Sequence, residues 1–151
     1  MTTRMTTAQQ EELASLAARL RLAITRTGRR LRQEAGTDLS PSQASALASI
    51  DCHGPLTPSE LADRERVKRP TATRIVSRLA VDGLIERTAD PADARSALLS
   101  VSPAGRALAG RMRKRKNAYM ARRLRGLDPS DLAALEQATE VLERLLEGEP
   151  R

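Results

Sequence analysis

Apolar residues recur near both ends of the chain at alternating steps of four and three. Leu13, Ala17, Leu20, Ile24, Thr27 and Leu31 mark one such seam, which predicts a long helix from about Ala8 to about Ala35. Leu132, Leu135, Thr139, Leu142 and Leu146 mark a second in the last helix. Stripes of this length need another helix to cover them. Two arrangements answer that need: packing on the chain's own domain, or pairing with a second copy of the chain.

Between the seams, helix starts repeat a code of N-cap, proline at the first turn, then an acid or amide. Ser40-Pro41-Ser42-Gln43 and Thr57-Pro58-Ser59-Glu60 are full capping boxes. Ser102-Pro103 and Asp128-Pro129-Ser130-Asp131 open two more helices. Gly36 and the turn Cys52-His53-Gly54-Pro55 separate the early helices, and a further helix starts near Pro70 and stops at Gly83. After Gly83 the period shortens. Leu84 to Arg87 and Ala97 to Val101 read as two strands joined by a polar loop, Thr88 to Ser96. The predicted order is four helices, a hairpin, a long helix and a last helix, with no internal repeat. The expected fold is therefore mainly α with a small β-hairpin.

Composition narrows this picture. A chain of 151 residues suits one domain. With one Tyr, no Phe and no Trp, the core must be built from Leu, Ala, Ile and Val. Such a core gains from burying more apolar surface in a dimer, which favours pairing of the terminal helices between copies. The net charge of +7 points to a polyanionic partner, and most of the 26 basic residues are Arg, which forks onto phosphates and guanine edges. A single Cys fits a reducing cytosol, no stretch approaches a membrane span, and the amino terminus lacks a signal-peptide core. The expectation is a cytoplasmic protein with no membrane partner.

Leu61 to Leu79 reads as two short helices around a tight turn near Arg64 to Lys68, the spacing of a helix-turn-helix. On the second helix Ala72, Ile75, Val76 and Leu79 form the inward stripe. Thr71, Thr73, Arg74, Ser77 and Arg78 then face away from the core. From Arg66 to Arg78 there are five cations and no acid. A solvated helix face ordinarily mixes both signs, so this stretch suits a phosphate-lined groove. The hairpin that follows is a wing. Its loop carries Arg95, suited to a narrow minor groove, and Asp93 is placed to hold that guanidinium by paired hydrogen bonds.

The run Leu61-Ala62, Val67, Arg69-Pro70-Thr71, Thr73-Arg74-Ile75-Val76, Arg78-Leu79, Gly83 to Arg87, Asp90-Pro91, Asp93, Arg95, Leu99, Ser102 and Gly105-Arg106 resembles the MarR family of winged helix-turn-helix regulators. The resemblance implies a homodimer joined through its terminal helices, 8–35 and 103–147, with residues 40–101 as the DNA-binding lobe of a single domain, 1–151. It implies a pseudo-palindromic double-stranded operator read by one recognition helix per half-site. On this match Thr71, Thr73 and Arg74 are the base readers, Lys68, Arg69 and Arg78 hold the backbone, and Arg95 enters the minor groove. Ser77 and Asp93 complete the DNA-facing set. The chain departs from its relatives in having Arg66 where Gly is common, Lys68 where Ser or Thr is common, and Ser77 where an acid often stands. Each change makes the surface more positive. The first two also carry a local cost, of about 1 kcal/mol each.

The family resemblance also implies an effector cleft between the dimerisation helices and the reading lobe, taking aromatic carboxylates or phenols. Here it would be lined by His53 and Tyr119, with Arg19 or Arg26 anchoring a carboxylate. Cys52 is expected to be a buried, inert thiol. A thiol-based redox sensor is the alternative, and a non-specific nucleoid-type DNA binder is the rival to operator reading. The cluster Arg111 to Lys116 reads as a solvated face of the long helix, because Leu108, Met112 and Tyr119 keep an apolar stripe. One His and one Cys fall short of a metal site. No catalytic triad, P-loop or dinucleotide fingerprint is present, so neither an enzyme nor a cofactor is expected.

Overall fold

The structure, a computed structural model, describes residues 6–93 and 95–147. The elements run α1 (Thr7–Glu34), α2 (Pro41–His53), α3 (Pro58–Arg64), α4 (Arg69–Val81), β1 (Ile85–Ala89), β2 (Ala97–Val101), α5 (Pro103–Leu124) and α6 (Pro129–Glu147). This is a mainly helical fold with one antiparallel hairpin. It forms two compact units divided between Lys116 and Asn117, inside α5. The division thus falls within the segment 103–147 that the sequence treats as one dimerisation part. No helix among the described residues is long and apolar enough to cross a membrane.

The capping code operates as written. Ser40 and Thr57 each accept the N3 backbone N–H, and Gln43 and Glu60 reach back to the cap residue's own N–H. Thr6 and Gln9 make the same box at the start of α1, two residues before the expected first helical residue. The Thr57 backbone N–H and hydroxyl hold the Glu60 carboxyl below its ordinary value. At α6 the Asp131 backbone N–H and the Ser130 hydroxyl do the same for Asp128. Both carboxyls therefore support their caps above their unfolded-state pKa, and the support is lost as pH falls through the lowered values.

The core joins α2, α3, α4 and the hairpin. Leu47, Ile50, Leu61, Val76, Leu79 and Leu99 are its largest fully buried side chains. Leu56 pairs with Leu99 through two backbone bonds of 3.0 and 2.7 Å, so α2 and α3 are stitched to the sheet by the segment between them. The hairpin pairs Ile85 with Val101 through Ala89 with Ala97. β1 starts one residue later than hydropathy suggests and ends two residues later, whereas β2 has the expected bounds. Leu84 is outside the ladder because its N–H caps α4 through the Leu79 carbonyl and its own carbonyl accepts from Ser102. Thr88 and Ala89 join the strand by register with Leu98 and Ala97 rather than by burial.

The terminal helices behave differently from the core. Neither α1 nor α6 buries a residue in the single chain. Leu13, Leu20 and Ile24 on α1, and Leu132, Leu135 and Leu146 on α6, remain exposed. Both seams are helical; Leu31 and Leu142 are half-buried, and the other apolar seam positions are exposed in the single chain.

One expectation fails outright. Cys52 is exposed, not buried. The inward stripe of α2 is Ala46, Leu47 and Ile50. A residue two positions beyond Ile50 lies about 200° around the helix and must face out. His53, the last residue of α2, is exposed as well. The side chain's apolar character suggested burial, and helix phase decided against it.

Candidate nucleic-acid interface

The helix-turn-helix is built from α3 and α4 joined by Glu65 to Lys68. Both helices end in the same loop. After α4, Gly83 has φ +69°, with Leu84 N–H bonded to the Leu79 carbonyl and Gly83 N–H to the Ala80 carbonyl. After α3, Val67 N–H bonds the Ala62 carbonyl and Arg66 N–H bonds the Asp63 carbonyl. This is the Schellman pattern, whose left-handed position favours glycine. Arg66 fills it with φ 52°. The Ser49 hydroxyl of α2 donates to the Glu65 carboxylate and ties the turn to the core.

Lys68 is the N-cap of α4 and makes no side-chain cap bond. The exposed Lys68 and its exposed neighbour Arg69 stand at the positive end of the helix, where a phosphate is attracted by dipole and side chains together. Arg66→Gly and Lys68→Ser are each expected to raise the unfolding free energy by about 1 kcal/mol, by relieving the turn and supplying the cap. Each should also weaken DNA binding, because each removes a cation. Urea denaturation and a duplex titration read the two opposite effects.

Along α4, Ala72, Ile75, Val76 and Leu79 are buried as expected. Thr73, Arg74 and Ser77 form the outward strip and are exposed, whereas Thr71 is half-buried on the flank. The Thr73 hydroxyl donates to the Arg69 carbonyl at 3.0 Å, which leaves its lone pairs and methyl outward. Arg78 is exposed, but its guanidinium is paired with Asp82 one turn on, at 3.1 Å. That neighbour dilutes the charge Arg78 offers to a phosphate. Val81, 79% exposed, continues the strip at its far end.

The sequence reading missed Arg87. It lies on β1, exposed, and its guanidinium reaches the Ser77 hydroxyl of α4 at 3.5 Å. A cation therefore bridges the helix and the wing, and this cross-element contact has no local signal in the chain. In the wing loop, Asp93 does not hold the Arg95 guanidinium. Its carboxylate accepts the Arg95 backbone N–H at 2.9 Å, forming a local turn, because a residue two positions on presents its amide before its side chain. Arg95 itself is exposed at the loop.

The residues expected at an effector cleft are divided between the two units. Arg19 and Arg26 are exposed on α1 and His53 is exposed at the end of α2, all in the first unit. Tyr119 is half-buried in the second unit. The Arg123 guanidinium lies 5.5 Å from its ring centroid, and the Arg123 Nε donates to its hydroxyl at 3.3 Å.

The profile of the MarR family matches residues 39–97, which span α2 to the start of β2. An uncharacterized HTH-type transcriptional regulator of Mycobacterium bovis is 37% identical over 138 residues, covering 91% of this chain and 96% of that protein. The HTH-type transcriptional repressor MdtR of Bacillus subtilis is 36% identical over 118 residues, covering 70% and 73%. The crystal structure of wild-type MarR from Escherichia coli, in its apo form, superposes with a TM-score of 0.73 at 25% identity, covering 84% of this chain and 96% of that one.

Proposed function

The chain belongs to the MarR family of transcriptional regulators, not enzymes, and on that premise we propose that it is a homodimeric repressor of a pseudo-palindromic operator. The observation that carries this reading is the outward strip of α4. Lys68, Arg69, Thr73 and Arg74 are exposed along one helix, no acid stands between Arg66 and Arg78, and the wing with Arg87 and Arg95 flanks it. Phosphate contacts from Lys68 and Arg69 set the register, Thr73 and Arg74 read base edges, and Thr71 supports them from the flank. Arg95 follows the adjacent minor groove.

The exposed seam residues of α1 and α6, Leu13, Leu20, Ile24, Leu132, Leu135 and Leu146, support the dimer, since a second copy removes them from water. Two recognition helices about 34 Å apart then meet successive major grooves. Repression follows from occupancy of the operator, in keeping with the name of the relative MdtR. A small anionic or phenolic effector at Arg19, Arg26, His53 and Tyr119 releases the DNA by favouring another spacing of the heads. The protein acts in the cytoplasm, on the chromosome.

The test is binding, at one fixed salt concentration, to an inverted repeat from the DNA upstream of its own gene and to a scrambled duplex of equal length. Tighter binding of the repeat by about a thousandfold supports operator reading. Equal binding makes a nucleoid-type DNA binder the better description. For assembly, light scattering at micromolar concentration is expected to give twice the 16.5 kDa chain mass. The single-chain mass would sink the dimer.

A further inference from the structure

We infer that Asp51 is a positioning residue that fixes the mounting of the DNA-reading head on α5 and thereby sets the half-site spacing the protein accepts. This rests on the dimeric operator-binding reading above. Asp51 lies near the end of α2, and its side chain is only 8% exposed. Its two carboxylate oxygens go to different arginines of α5: Oδ2 to Arg113 Nη1 at 3.4 Å and Oδ1 to Arg106 Nη1 at 3.8 Å. All three residues lie in the first unit. No contact of the α4 surface or the wing explains this triad, and DNA recognition as described makes no use of it.

Geometry gives the triad its role. Arg106 and Arg113 are seven residues apart, so they lie on one face of α5 about 10 Å from each other along the axis. A roll of α5 or a slide along it therefore moves both guanidinium groups relative to the one carboxylate. The other contacts of α5 with the head include Ala109, buried in the same core, and Leu108, packed against it. Apolar contacts are non-directional and permit small rotations. The bond from Arg113 to Asp51 is directional, and the Arg106 charge at 3.8 Å adds a second electrostatic anchor on the same carboxylate.

On the other side, α2 is one body with the reading helix. Ala46, Leu47 and Ile50 share a core with Ile75, Val76 and Leu79 of α4. Whatever fixes α2 on α5 therefore fixes α4. Energetics argue the same way. A carboxylate taken out of water is costly, and an ion pair at such a site adds little net stability over an apolar replacement. A triad of this kind earns its place by specifying one geometry. In a symmetric dimer, a change of mounting angle is repeated in both heads, and the distance between recognition helices changes with it. One base pair moves a half-site by about 3.4 Å and turns it by about 34°.

The test compares the full-length wild type with Asp51→Asn and with the double variant Arg106→Gln/Arg113→Gln. Each is titrated, at one salt concentration, against the operator, operators with one central base pair added or removed, an isolated half-site and a scrambled duplex. The wild type is expected to prefer the natural spacing by tenfold or so. Both variants should bind the half-site as the wild type does but hold the three spacings within about threefold of each other. Asp51→Glu should restore the preference. A role in stability alone would lower the melting temperature and leave the spacing preference in place. If Asp51→Asn does not fold, the double variant decides, because both its arginines are more than half exposed. A wild type that binds scrambled DNA as tightly as the operator overturns the operator reading itself. A wild type that discriminates while the variants keep its spacing preference overturns this inference alone.

Discussion

Arg74→Ala is expected to weaken binding to the operator far more than binding to scrambled DNA. Arg74 projects from the middle of the outward strip of α4, with no acid nearer along the chain than Asp82. A guanidinium there can fork onto a guanine edge, a contact worth about 1–3 kcal/mol of discrimination. Scrambled DNA offers no such partner, so it loses only one cation's attraction. Lys68 differs by position. As the N-cap of α4 it sits beside the backbone, and Lys68→Ala should weaken both duplexes alike and flatten the salt slope by about one. Arg78→Ala should cost less than Lys68→Ala on either duplex, since Asp82 already partners that guanidinium. Titrations of the three variants across a salt series separate these cases. Equal losses on both duplexes for Arg74→Ala and Lys68→Ala would mean that α4 does not read sequence.

The second large effect is on stability, and its sign runs against helix propensity. Gly105 and Gly110 both lie in α5, and replacing glycine by alanine in a helix ordinarily stabilises by about 1 kcal/mol. Gly110→Ala should do so, because a Cβ there meets nothing within 4 Å. Gly105→Ala should do the opposite. Its Cβ would run into the Leu84 carbonyl oxygen and lie 2.9 Å from the carbonyl carbon, backbone atoms that cannot step aside. The same turn is knotted by Ser102, whose hydroxyl donates to the Gly83 carbonyl at 2.6 Å and accepts the Gly105 N–H at 3.0 Å. Moving α5 off Leu84 breaks these bonds together. A loss on the order of 3 kcal/mol is expected, with a fall in melting temperature on the order of 10 °C. Calorimetry on the two variants checks the pair, and equal effects would remove the close approach as the explanation.

The order of elements was legible in the chain because its signals are local. A capping box needs only four consecutive residues, so Ser40, Thr57 and their partners announced α2 and α3 without reference to the fold. The buried stripe of α4 follows from a period of 3.6, and the same arithmetic turned Thr73, Arg74 and Ser77 outward. The departure at Arg66 could be read as a strained turn, since a left-handed residue is dictated by the loop that ends α3.

What the chain could not announce depends on residues far apart in sequence or on the phase of a helix within the packed whole. Cys52 was misjudged because hydropathy is a property of one residue, while exposure depends on which way Ile50 turns α2. Arg87 joined the interface only when pairing of β1 with β2 laid it against Ser77. Asp51 found Arg106 and Arg113 only once α5 lay across α2, bringing together groups 55 and 62 residues apart in a chain rich in other arginines. Local sequence fixes backbone conformation through short-range sterics and hydrogen bonds. Which charges meet is decided by the packing of surfaces, and for this protein that packing leaves Lys68, Arg69 and Arg74 exposed while Arg78 is paired with Asp82.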